Sequence, residues 1–116
     1  MPLHPRRVAE RGFHPTLALA RVLAAELRIP VFRGLKRVRH TPPQFGLGCE
    51  DRSRNVAGAF ILENVEDLAE RHLLLVDDVL TTGSTVNEVC RLLRRKSEVG
   101  QIMVLTVARA PLVDQL

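Results

Sequence analysis

The chain has 116 residues, of which 46% are hydrophobic, and its formal net charge at pH 7 is +4. This length suffices for one domain with a sizeable core, and we expect residues 1–116 to form a single domain. No apolar run approaches the roughly 18 residues of a membrane-spanning helix, which argues against membrane insertion. Cys49 and Cys90 are isolated and belong to no CxxC pair, so the composition also argues against a zinc ribbon or a disulfide framework. We expect a cytoplasmic location.

Positive charge is concentrated in the first half of the chain. Residues 1–54 hold 11 Lys and Arg against 4 Asp and Glu, a balance of +7, whereas residues 55–116 hold 6 against 9, a balance of −3. A basic half can bind a phosphorylated small molecule or a nucleic-acid backbone, and the count alone does not separate these two partners. Aromatic residues are only 3%, all of them phenylalanine, which argues against a stacking platform for single-stranded nucleic acid.

In chain order, the first half predicts a basic loop, a helix, a strand and a second loop. The first segment, residues 1–13, is rich in proline and arginine and leads into a helix, so it is a candidate anion site, although such a loop is more often simply solvated. Residues 16–28 place apolar side chains at spacings of three and four, which predicts a core helix. Val31 to Val38 predicts a strand that Gly34 weakens. Residues 41–48 predict an exposed, mobile loop that could act as a lid.

The second half predicts three strands and another helix. Residues 59–62 predict a strand, and residues 63–71 predict an acidic connector that faces solvent. Leu73 to Val76 is a short apolar run, which predicts a strand buried on both faces of a parallel sheet. Residues 84–96 predict a helix whose basic C-terminal end suits the helix dipole, an explanation we favour over nucleic-acid binding. Residues 102–107 predict the last strand of an α/β fold.

The stretch with the most functional information is LLLVDDVLTTGST at residues 73–85. Asp77 and Asp78, the acid pair, follow the predicted strand at its carboxyl end, where open α/β sheets place their ligands. Two adjacent carboxylates would be costly to bury without partners, and a vicinal diol, a Mg²⁺ ion or both would supply them. This position and this chemistry make the acid pair the candidate catalytic centre and metal site.

The residues after the acid pair form a hydroxyl loop, residues 81–85, that opens the predicted helix. Hydroxyl groups and backbone N–H groups at a helix N-terminus favour an anion, and glycine lets the backbone approach it closely. An alternative is that these residues merely make a turn and a helix cap, since Ser, Thr and Asp are favoured there. The ordered combination of strand, acid pair, loop and helix favours the phosphate site, whose candidate residues are Thr81, Thr82, Gly83, Ser84 and Thr85.

This pattern resembles the phosphoribosyl pyrophosphate (PRPP) motif of type I phosphoribosyltransferases. It is not a Walker A loop, because the lysine and the glycine spacing of that loop are absent. The motif at 76–85 is accompanied by PLHPRR at 2–7, RGF at 11–13, Thr41, Gln44, Leu47, Arg52, Asn55 and GAF at 58–60. Through these residues the chain resembles, over residues 2–109, one branch of these proteins, the ComF family.

The resemblance implies a role for each candidate residue. The acid pair would hold the ribose hydroxyls, with Mg²⁺ bound there together with PRPP, and the hydroxyl loop would bind the 5′-phosphate. The loop before the first helix would bind pyrophosphate through Arg6, Arg7, Arg11 and Gly12. A flexible loop with Lys36, Arg37, Thr41 and Gln44 would close over PRPP.

The resemblance also implies a fold and two alternative functions. We expect a type I phosphoribosyltransferase-like parallel sheet flanked by helices, and an N-terminally truncated one, because family members usually begin with a zinc ribbon and a strand that are not found here. The first function is a Mg²⁺-dependent phosphoribosyltransferase or PRPP binder with an unknown acceptor. The second is a non-catalytic accessory of DNA uptake that binds DNA or uptake proteins through the basic half. The sequence leaves a homodimer open.

Overall fold

The computed structural model describes Pro2 and residues 15–39, 57–80 and 82–110. Strands and helices alternate along this part of the chain, which confirms the predicted α/β architecture. In order, the elements are α1 (Pro15–Leu27), β1 (Leu35–Arg37), β2 (Phe60–Leu62), a 3₁₀ helix (Val65–Leu68), β3 (Leu73–Leu80), α2 (Ser84–Lys96) and β4 (Ile102–Arg109). None of the helices in these ranges is long and apolar enough to cross a bilayer.

The two long strands, β3 and β4, pair in parallel, as the sequence predicts for this half of the chain. Leu73 lies opposite Ile102 at one end of the pair, and Leu80 lies opposite Arg109 at the other. Parallel strands cannot be joined by a tight turn, so the chain must cross back over the sheet between them. Helix α2 makes this crossover, and it begins where β3 ends.

The hydrophobic core lies between α2 and the strands. The predicted helix over residues 84–96 is confirmed at both ends, and its apolar side chains recur at helical spacing on the side that faces the sheets. Val89, at its centre, is fully buried. The buried core residues are Ala59, Phe60, Leu68, Leu75, Val86, Val89, Leu92 and Leu93.

Strand β3 is covered on both faces, which confirms the interpretation of its apolar run. Leu75 and Val76 are neighbours in the strand and point to opposite faces, yet each is only 8% exposed. Leu75 belongs to the core cluster around α2. Helix α1 also packs against β3. Within α1, however, Leu27 is 56% exposed, so its predicted place in the core is wrong.

The predicted strand over residues 31–38 is reduced to the three residues of β1. These pair antiparallel with β2, and Leu35 lies opposite Leu62. The backbone of Glu63 passes so close to Gly34 that a Cβ at Gly34 would overlap the Glu63 carbonyl oxygen. The Glu63 N–H donates to the Gly34 carbonyl at 2.8 Å. This bond continues the pairing by one step beyond Leu35. We call β1 and β2 together the β1–β2 ribbon.

The connector over residues 63–71 is not uniformly solvent-facing, so that prediction is wrong. It contains the 3₁₀ helix, and Leu68 at the end of this helix is only 2% exposed and belongs to the core. The turn that starts it is made by Asn64, a residue that tolerates the left-handed conformation observed there, with φ of 53°. The buried Leu68 side chain thus anchors the acidic connector to the core.

Strand β4 extends to Arg109, two residues beyond the prediction, and is largely exposed. Among the described residues it pairs with β3 alone. Met103, Val104, Leu105 and Val107 are between 38% and 70% exposed. The last strand therefore contributes backbone pairing to the sheet and little side-chain burial.

Replacing Val89 with alanine tests whether the packing of α2 holds the fold together. The change removes two methyl groups from a fully buried position, and we expect it to lower the free energy of unfolding by about 2 kcal/mol in urea titrations. The matched control is Val22→Ala on α1, where the side chain is 61% exposed, and its effect should be within about 0.5 kcal/mol. Equal losses in the two variants would contradict this assignment of the core.

Candidate functional site

The acid pair lies within β3 rather than after it. The expectation that the strand stops at Asp77 is wrong, because parallel pairing with β4 continues to the end of both strands. The Leu80 carbonyl also accepts a hydrogen bond from the Ala110 N–H at 2.9 Å, which extends the pairing by one step. The acid pair still lies near the carboxyl end of β3, the edge of the sheet at which α2 begins.

The two carboxyl groups of the acid pair interact with each other and with the backbone. The Asp78 N–H donates to Asp77 Oδ1 at 3.0 Å, and the Val79 N–H donates to Asp78 Oδ1 at 2.8 Å. Burial raises the pKa of Asp77 above its ordinary value of 3.8, and the charge of Asp78 and a side-chain hydrogen bond with Asp78 raise it further. The backbone hydrogen bond acts in the opposite direction. Asp77 is therefore a carboxyl group that favours a proton or another positive partner.

The N-terminus of α2 faces this edge of the sheet. Gly83 is its N-cap, with φ of 82°, and no side chain caps the helix there. A Cβ at Gly83 would lie 3.7 Å from Asn87 Nδ2, an ordinary contact, so the position requires glycine for its backbone conformation and not for space. The first turn contains no acidic residue, so no side-chain carboxylate within that turn offsets the positive end of the helix dipole.

Two hydroxyl groups organise the described part of the hydroxyl loop. Thr82 Oγ1 and Ser84 Oγ are 2.8 Å apart and share a hydrogen bond. The Ser84 N–H lies 3.4 Å from Thr82 Oγ1, a long contact. Ser84 is 8% exposed, which makes it one of the few buried polar residues in the described ranges. These hydroxyl groups and the first-turn backbone together form a polar cradle of the kind that binds phosphate.

Sequence reasoning assigned nothing to Thr106, which lies directly opposite Asp77 in the parallel register. Paired residues of neighbouring strands point to the same face, so a hydroxyl-bearing side chain flanks this acid. A signal was present in the sequence, because Thr106 is the one polar residue before Arg109 in the apolar strand IMVLTVAR.

The remaining candidate residues divide into two groups. Lys36 and Arg37 lie in strand β1 and not in a loop: Lys36 Nζ pairs with Glu63 Oε2 at 2.8 Å, and Arg37 lies over the Phe60 ring at 5.3 Å. Their predicted contact with PRPP stays a prediction. The residues outside the described ranges are Arg6, Arg7, Arg11, Gly12, Thr41, Gln44 and Thr81.

The described side chains fit a cation that takes most of its ligands from water and substrate and only one or two from the protein. No group of three or more His, Cys, Asp or Glu side chains that could hold a metal occurs in the described part of the chain. Mg²⁺ is usually bound by one or two carboxylates together with water and substrate phosphates, so a third protein ligand is not required. Asp77 and Asp78 offer two neighbouring carboxyl groups of this kind, and a cation would relieve their mutual repulsion.

The strand, acid pair, glycine turn and helix have the layout expected of a phosphate-sugar site on an α/β sheet. Residues 8–111 match the family of the phosphoribosyl transferase domain. The chain therefore belongs to the phosphoribosyl transferase domain family, and within it to the ComF type that its sequence resembles.

Curated relatives support this assignment. The chain is 42% identical to competence protein F of Haemophilus influenzae over 112 residues, which are 95% of this chain and 48% of that protein. It is 40% identical to DNA utilization protein YhgH of Escherichia coli over 96 residues, 82% of this chain and 41% of that protein. The corresponding YhgH protein of Salmonella typhi is 42% identical over 97 residues. The chain thus spans less than half the length of these relatives.

Replacing Asp77 with asparagine should stabilise the fold at neutral pH. Because the pKa of Asp77 is raised in the folded state, its favourable contribution is complete below pH 3.8 and is lost as the pH rises through the folded-state pKa. The free energy of unfolding of the variant relative to wild type should therefore increase from about pH 3.5 to about pH 7.5 in urea titrations. Asp67→Asn, a change at an exposed position of the 3₁₀ helix, controls for the loss of one negative charge. A relative stability that falls with pH would contradict the assigned electrostatics.

Proposed function

We propose that this chain binds PRPP with Mg²⁺ and supports transfer of the 5-phosphoribosyl group. The observation that carries the proposal is the acid pair at the carboxyl end of β3, in which burial and Asp78 raise the pKa of Asp77. Because these effects oppose the charge on Asp77, a diol or a cation bound there would stabilise that charge. Gly83 and the N-terminus of α2 follow within five residues and offer a phosphate cradle.

The proposed chemistry needs positioning and charge more than it needs a nucleophile on the protein. Breaking the anomeric C–O bond of PRPP places positive charge on the ribose ring and negative charge on the departing pyrophosphate. The acid pair would hold the ribose hydroxyls and stabilise the cationic ring, and the hydroxyl loop would hold the 5′-phosphate in place. When bound by the acid pair and PRPP, Mg²⁺ neutralises charge on the leaving pyrophosphate.

Calorimetric titration of PRPP, with and without Mg²⁺, tests this function. We expect Mg²⁺-dependent binding to the wild-type chain and loss of detectable binding in Asp78→Asn, because a neutral amide is a weaker ligand for the cation and a weaker hydrogen-bond acceptor than a carboxylate. Asp67→Asn removes one carboxylate from an exposed position of the 3₁₀ helix and should bind like wild type. Unchanged affinity in Asp78→Asn would overturn the assignment of the site, and no binding by the folded wild type would overturn the function.

A second candidate is an accessory role in DNA uptake, which the names of the relatives favour. Competence protein F and the DNA utilization proteins carry that association in their names. One observation in the structure favours it as well: the last turn of α2 presents Arg94, Arg95 and Lys96 to solvent. None of the three forms an ion pair with another residue in the described ranges. Such cations would contact phosphates and carry no sequence preference.

DNA binding would show itself through its salt dependence. Arg94→Glu and Arg95→Glu, made singly, should each weaken binding to a DNA oligonucleotide and lower the salt slope by about 1 if the replaced arginine contacts a phosphate. Arg71→Glu, at an exposed position outside α2, is the matched charge reversal. Binding that is undetectable or independent of salt in fluorescence anisotropy would eliminate this candidate.

A further inference from the structure

Glu88 lies in the second turn of α2, and its side chain makes contacts outside the acid pair and the hydroxyl loop. Its side chain is only 20% exposed. Oε1 accepts a hydrogen bond from the Gly58 N–H at 3.1 Å, and Oε2 lies 3.7 Å from Arg91 Nη1. The Gly58 bond joins residues 30 positions apart and ties α2 to the chain that leads into β2.

Backbone hydrogen bonds connect the segment after Gly58 to residues 36–39. We call residues 36–39 the basic end of the β1–β2 ribbon. Ala59, the next residue, is fully buried. Its carbonyl accepts hydrogen bonds from the Val38 N–H at 2.7 Å and from the Arg39 N–H at 3.4 Å. Glu88 is thereby linked, through two residues of backbone, to the end of β1.

The basic end holds three cationic side chains, those of Lys36, Arg37 and Arg39. The ion pair between Lys36 and Glu63 is exposed, with 54% and 47% of the two side chains accessible. Exposed pairs of this kind contribute little to stability, so the ammonium group can leave Glu63 for a phosphate at small cost. The basic end is thus a source of positive charge that is linked to Glu88 through Gly58 and Ala59.

We propose that Glu88 is a positioning residue that sets the basic end of the ribbon relative to the phosphate cradle at the N-terminus of α2. Glu88 follows Ser84 by one helical turn, so the rigid helix links the two places directly. This inference rests on the proposed binding of PRPP, a ligand with one phosphate at C5′ and a pyrophosphate at C1′. The cradle would take the first group and the basic end the second.

The role assigned to Glu88 separates two ligands that differ only at C1′. On this proposal ribose 5-phosphate would bind to the acid pair and the cradle but has no pyrophosphate for the basic end, whereas PRPP has a group for each of the three. Loss of the Glu88 contact should therefore weaken PRPP and spare ribose 5-phosphate, a difference that general destabilisation of the fold would not produce.

The test is calorimetry of both ligands, with Mg²⁺, on wild type, Glu88→Ala and Glu88→Gln. Glu88→Ala removes the acceptor of the Gly58 N–H and should weaken PRPP about fivefold while ribose 5-phosphate stays within about twofold, since one hydrogen bond is lost. Glu88→Gln keeps an oxygen that can accept from the Gly58 N–H and should recover most of the PRPP affinity. Amide hydrogen exchange at Val38 and Arg39 should be faster in Glu88→Ala than in Glu88→Gln.

Several outcomes would overturn the inference. Equal weakening of both ligands in Glu88→Ala would mean that Glu88 supports the fold alone, and unchanged PRPP affinity or unchanged exchange at Val38 would mean that the contact positions nothing. Each of these leaves the proposed function intact, because wild type would still bind PRPP. Absence of binding of either ligand to folded wild type would overturn the proposed function and this inference together.

Discussion

Parallel pairing between β3 and β4 is the constraint on which the rest of the structure depends. The second strand must start at the same end as the first, so the chain has to return across the sheet, and α2 is that return. The N-terminus of α2 therefore follows the carboxyl end of β3, and the acid pair and the hydroxyl loop lie at one edge of the sheet for that reason. Burial of Val86, Val89 and Leu93 holds α2 in this place.

The acid pair shows how a binding site can weaken the fold that carries it. Ionised Asp77 beside Asp78 is unfavourable in the folded chain, where burial and a neighbouring charge both oppose it. The destabilising acid pair lies on a strand that is covered on both faces. Parallel pairing on either side of the acids, at Val76 and at Val79, keeps the backbone in register. A ligand that offered positive charge or hydroxyl donors would offset this destabilisation.

Local signals in the sequence predicted much of the fold, and the misses follow from contacts between distant residues. The ends of α2 were predictable because apolar periodicity, Gly83 and the basic last turn all agree. The end of β3 was not, because the acid pair gives no sign that pairing with β4 continues past it. The contact between Glu88 and Gly58 joins two unremarkable residues 30 positions apart, and no periodicity or motif connects them. Leu68 was missed for the same reason, since its partners lie in other elements.

The exposure of strand β4 affects how the chain behaves in solution. It is apolar, exposed over much of its length, and within the described ranges it pairs on one side alone. Such an edge is a template for strand addition between molecules, and Arg109 is the one charged residue in β4 that opposes it. We therefore expect self-association through this edge to increase with protein concentration.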